Sequence, residues 1–194
     1  METSGGTTMR ETLCEALEAM MTPDIEANAR YGTIAYDIHG FYTQQGIEQG
    51  WQGLDDVHPL DKDTPTNMRK NIDAAIAQIG YWLTMVDVSS EGSVLEAMVA
   101  ATEFDTTNPL VQGAALRAWD QWRGFVATYQ AGRITPGHLQ FRESNHGQFT
   151  TPWKELPAET RMKDYEVVAI VADRMLAQSQ PGYEPKHAIY DFGG

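Results

Sequence analysis

Thr64-Pro65-Thr66-Asn67-Met68-Arg69-Lys70-Asn71-Ile72-Asp73-Ala74-Ala75-Ile76-Ala77-Gln78-Ile79-Gly80-Tyr81-Trp82-Leu83-Thr84-Met85-Val86 is the stretch on which the fold class turns. Met68, Ile72, Ile76, Ile79, Leu83 and Val86 recur at steps of three and four, the period of one helical face and not the alternation of a strand. Thr64 offers a side-chain acceptor to the free amides of a first turn, and Pro65 needs no amide donor there. The same punctuation recurs along the chain. Thr22-Pro23 opens a segment to about Gly50, Asn108-Pro109 one to about Gly132, and Pro157 one to about Ser179. In the Asn108 segment Leu110, Ala114, Ala118, Trp122, Phe125 and Tyr129 repeat the helical step.

Two shorter segments complete the reading. Met9 to Met21 places Leu13, Leu17 and Met20 on one face and Glu11, Glu15 and Glu18 elsewhere; Val94 to Phe104 is a brief helix. Arg133 to Trp153 is polar and broken by Gly and Pro, and in the tail from Gln180 the residues Pro181, Gly182 and Pro185 prevent a helix. With no fixed-period repeat and no Gly/Ser linker, the expectation is an all-α, single-domain helical bundle over 1–194, with a long loop before the last helix and an extended tail over 181–194.

Charge and composition narrow the function. Lys and Arg number 14 against 27 Asp and Glu, a net charge of −13, and the pI is near 4.6. Such a surface lacks the clustered cations that duplex nucleic acid requires, while a local pocket for a small anion remains compatible with it. Cys14 stands alone, which excludes an intrachain disulfide and a cysteine zinc cluster. No signal peptide is read in Met1 to Arg10, and no run of about 18 apolar residues offers a membrane span. A cytoplasmic protein without a membrane partner is the expectation.

Two stretches carry chemistry-bearing residues in a recognisable order. His39, Tyr42, Gly50 and Trp51 are followed by His58-Pro59; much later Pro152, Trp153, Leu156, Pro157, Arg161 and Asp164 lead into the last helix. Taken singly, these residues admit structural roles. Gly50 stops a helix with Trp51 folded on its last turn, Trp153 and Leu156 anchor a loop, and Arg161 and Asp164 form a surface pair. Taken together, they resemble the ryanodine-receptor repeat (RyR) domain, a small helical module also found in bacterial and phage proteins. The likeness covers about 40 residues, as blocks within 1–60 and 150–180, and treats 61–149 as an inserted region with a helical pair. Family members join the blocks within a few residues, whereas about 90 intervene here; Tyr42 stands where the family has Trp, and Gln44, Gln45 and Glu48 occupy usually basic positions.

The resemblance implies a non-enzymatic binder of a small anionic, nucleotide-like ligand, with His39, Tyr42, Trp51, Trp153, Arg161 and Asp164 at the site and with no catalytic residue, metal or cofactor. Trp51 and Trp153 would enclose a planar base while Arg161 or His39 meets a phosphate or ribose, a stack worth about 1–3 kcal/mol per base. One concrete form is a phage-encoded sponge, acting in the host cytoplasm, that sequesters an immune signalling nucleotide. The alternative is a virion-structural or protein-interaction module, a homo-oligomer among its forms, whose 5 Trp and 9 Met line helix contacts between chains. Weaker signals are the Glu11, Glu15 and Glu18 face, which a metal-dependent hydrolase would use, the loop histidines His138 and His146, and Trp119 and Trp122 beside Arg117 and Arg123.

Overall fold

The computed structural model describes residues 7–21, 34–35, 37–38, 40, 65–129 and 151–187. Among them the regular structure is helical throughout: α1 (Met9–Met20), α2 (Pro65–Val88), α3 (Glu91–Thr102), α4 (Pro109–Tyr129) and α5 (Ala158–Ser179), with a short 3-10 turn over Trp153–Glu155. Ile34, Ala35, Asp37, Ile38 and Gly40 are helical as well. The protein is an all-α bundle.

Each start has a local cause. Thr8 closes a capping box at α1, its hydroxyl accepting the Glu11 amide at 3.2 Å while the Glu11 carboxylate accepts the Thr8 amide at 2.9 Å. Asn108 caps α4, its Oδ1 accepting from the Leu110 amide at 2.9 Å. The α3 helix begins three residues before Val94, because Ser90 accepts the Ser93 amide at 3.1 Å and Glu91 sits at the positive end of the first turn. It also stops before Phe104, which turns to φ +57°. The polar Glu91-Gly92-Ser93 lead hides that start from an apolar-period reading.

α5 is the central element, in contact with all four other helices. Its middle, Val168 to Asp173 with Met175 and Leu176, is buried on every side, joining Leu13, Ile79, Trp82, Met98 and Val111 in one core. Against it α1 runs antiparallel, since the Ser179 hydroxyl at the end of α5 lies 3.8 Å from the Met9 sulfur at the start of α1. Arg10 pairs with Asp87 and the Met9 amide donates to Glu91 Oε1 at 2.5 Å, tying that end of α1 to the turn between α2 and α3.

α2 and α4 are antiparallel neighbours. The Tyr81 hydroxyl donates to the Leu110 carbonyl at 2.7 Å, and Gln78 Nε2 to the Ala114 carbonyl at 2.8 Å. Gly113 permits this approach, because a β-carbon there would lie 2.3 Å from the Tyr81 oxygen. The burial differs in one respect from the apolar stripe. In α2 the enclosed residues are Asn71, Ile72, Ala75, Ala77, Gln78, Ile79 and Trp82, while Ile76, Leu83 and Val86 are half-buried. α1 and α4 both pack on α2, so its burial extends beyond the single apolar stripe.

The tail avoids helix, as its prolines require. From Gln180 it turns through Gly182 (φ +79°) and docks on α3 and α5 as far as His187. Asp173, 2% exposed, is its anchor: the carboxylate accepts the Tyr183 hydroxyl at 2.5 Å, the Lys186 amide at 3.0 Å and the His187 amide at 3.1 Å. Lys186 Nζ reaches Thr102 Oγ1 and Glu103 Oε1, each at 3.1 Å, and the His187 ring stands edge-on to Phe104 at 5.3 Å.

Candidate functional site

Pro152 and Pro157 bracket the 3-10 turn and prevent a continuous helix. The Glu155 amide donates to the Pro152 carbonyl at 2.9 Å and the Leu156 amide to the Trp153 carbonyl at 3.1 Å. This fold-back drives Trp153 and Leu156 inward, 4% and 5% exposed. The Pro157 carbonyl then accepts the Thr160 and Arg161 amides, both at 3.0 Å, and starts α5.

Trp153 gathers the side chains of the first two turns of α5 around its indole. The Nε1–H donates to Asp164 Oδ2 at 2.9 Å, Tyr165 lies at 5.8 Å between ring centroids, and the Arg161 guanidinium carbon is 5.6 Å from the indole centre. Arg161 and Asp164 therefore do not form the surface pair that a structural reading of the sequence suggests; both are half-buried and both meet the indole. Among the described residues, the buried Arg161 Nε has no hydrogen-bond partner. A guanidinium nitrogen in that state is an unmet demand for an acceptor.

Electrostatics at this corner are unusual. Burial pushes the Asp164 carboxyl up to about 7, against the indole hydrogen bond and the neighbouring Lys163, which both favour the ionised form. Burial also pulls the Lys163 ammonium down, opposed by Asp164, Glu166 and Glu159. The Tyr165 phenol is raised, chiefly by burial.

Of the other site residues named from sequence, His39, Tyr42 and Trp51 lie outside the described residues, as do His58, His138 and His146. Ile38 and Gly40, on either side of His39, are helical. That segment is pinned to α5 by an ion pair that sequence reasoning did not find: Asp37 Oδ2 takes Arg174 Nε at 2.8 Å and Nη2 at 2.5 Å. Asp173 was also missed, although an acid directly after the apolar run Val167 to Ala172 was a visible signal.

The weaker candidates have plainer structural roles. Glu11, Glu15 and Glu18 are exposed on α1, and no group of three or more metal-ligating side chains gathers among the described residues. Arg123 lies over the buried Trp119 ring at 4.2 Å and 3.7 Å from Asp120. No helix among the described residues is long and apolar enough to cross a membrane. Comparison with family models, with curated proteins and with solved structures finds no match. The RyR likeness accordingly rests on the motif residues themselves.

Proposed function

We propose that this protein is a non-enzymatic binder of a small anionic, nucleotide-like ligand, taken at the corner formed by Trp153, Arg161 and Asp164. The observation that carries the reading is the buried Arg161 Nε, without an acceptor among the described residues and held over an indole whose own N–H is committed to Asp164. An anionic oxygen is the group that such a nitrogen lacks. Trp153, almost fully enclosed, serves as the floor that fixes the guanidinium and not as a freely accessible stacking plate. Trp51, His39 and Tyr42 are the residues proposed to complete the site in the manner of RyR domains. In this reading the protein acts by sequestration, as a phage-encoded sponge for an immune nucleotide would.

Isothermal titration with a panel of cyclic nucleotides and ADP-ribose tests it. Binding at micromolar strength or better is expected, weakened about tenfold in Arg161→Ala, the loss of one charge-assisted contact. A folded protein that ignores the whole panel overturns the reading. If that protein also assembles into large ordered species in light scattering, the interaction-module alternative takes its place.

A further inference from the structure

We propose that anion binding at Arg161 is coupled to proton uptake by Asp164, so that this corner holds its ligand more tightly in mild acid than in mild base. The inference rests on the ligand-binding reading above and names how that site is regulated.

The geometry is a cluster built around one indole. Its face lies under the Arg161 guanidinium and its edge N–H is bonded to the Asp164 carboxylate at 2.9 Å. Arg161 and Asp164 are three residues apart on α5, hence neighbours on one helical surface. An anion seated on Arg161 Nε therefore brings a second negative charge within about one helical turn of a half-buried carboxylate. Like charges at that separation favour the neutral acid. Protonation removes the repulsion and leaves an oxygen that still accepts the indole N–H, so the floor of the site survives the change.

Among the described elements at this corner, the titratable and charged groups near Asp164 are Lys163, Arg161 and Tyr165, whose phenol the Asp164 charge helps to raise. Lys163 adjoins it on α5 and favours ionisation, while Arg161 is engaged with the indole face. Glu159 and Glu166 act on Lys163 and offset it. From the 3-10 turn only the indole N–H reaches the carboxylate; Lys154 and Glu155 are exposed. Burial outweighs these influences and sets the titration near neutrality, where a modest change in local charge alters occupancy by a proton.

The test uses the full chain with ADP-ribose and cyclic di-AMP, phosphodiester-type ligands that lack the second phosphate ionisation near pH ~6 of a monoester. Titration calorimetry at about pH 6, 7 and 8, in buffers of different ionisation heat, reads affinity and proton exchange together. A coupling of about one pKa unit predicts proton uptake near neutrality and roughly fivefold weaker binding at about pH 8 than at about pH 6. Asp164→Asn, an isosteric neutral side chain, is expected to bind across this range as the wild type does in acid, with no proton taken up. Proton uptake by the wild type needs no variant and stands as a separate readout. Binding of unchanged affinity without uptake overturns the coupling and leaves the ligand reading intact. A pH dependence that persists in Asp164→Asn overturns it too, since another group then titrates. No binding at any pH overturns both.

Discussion

Two carboxylates nine residues apart on α5, Asp164 and Asp173, have been given opposite fates. Asp173 is the more deeply buried, yet the tail brings it a phenol hydroxyl and two backbone amides within 3.1 Å. Asp164 is only half-buried but has a single indole N–H, and burial pushes it up to about 7. The two carboxyls differ in the number of donors that the fold delivers to them, and a buried polar group is costly where donors are few. A buried acid with several donors is a structural bolt. Asp164, with one donor, shares the Trp153 indole with the Arg161 guanidinium, whose Nε lacks a partner among the described residues.

The strongest way to break this contrast is to remove the donors. Truncation after Gln180 strips Asp173 of all three and leaves an uncompensated buried charge, an expected loss of about 3–5 kcal/mol in denaturant unfolding. A loss below about 1 kcal/mol would show that water satisfies Asp173 in place of the tail. Next in size is a matched pair of substitutions. Asp173→Asn puts an amide among donors and is expected to cost about 2–3 kcal/mol. Asp164→Asn is expected to stabilise at neutral pH, by about 1–2 kcal/mol after allowance for partial solvation. Thermal unfolding of both variants gives the comparison directly, and equal signs would refute it.

The pH dependence of the second variant sharpens the point. In the unfolded chain Asp164 ionises near its ordinary value of 3.8, while in the folded protein it keeps its proton to about 7. The folded state thus binds more protons between these values, and wild-type stability falls as pH rises through that window. The advantage of Asp164→Asn should be absent below pH 3.8, grow up to about 7 and be constant above it. Smallest is Tyr183→Phe, which removes one of three donors from Asp173 and is expected to lose about 1 kcal/mol with little dependence on pH near neutrality. Burial, together with the bond to Asp173, holds that phenol protonated well above the ordinary tyrosine range.

Much of the architecture was legible because its signals are local. Pro65, Pro109 and Pro157 mark starts to within a residue, whereas the start expected at Val94 lies three residues earlier, behind the Ser90 cap. Even the tail's avoidance of helix is dictated by Pro181 and Pro185. The candidate site was legible only in part. Pro157 read correctly as a helix start, Trp153 and Leu156 are buried just before it, and Arg161 and Asp164 stood out. Their relation is not the surface pair that spacing suggests, since nothing in an i, i+3 interval reveals an indole lying between them.

Composition, capping residues and apolar period were enough to determine an acidic all-α chain and the starts at Met9, Pro65, Pro109 and Pro157, because each depends on residues within a turn or two of one another. Only the tertiary structure decided what each charged group became. Asp37 found Arg174 across 137 positions, Asp173 found the tail, and Asp164 found the Trp153 indole as its hydrogen-bond donor among the described residues. Ionisation and binding chemistry depend on desolvation and the donors within reach, and both are set by which distant segments pack together.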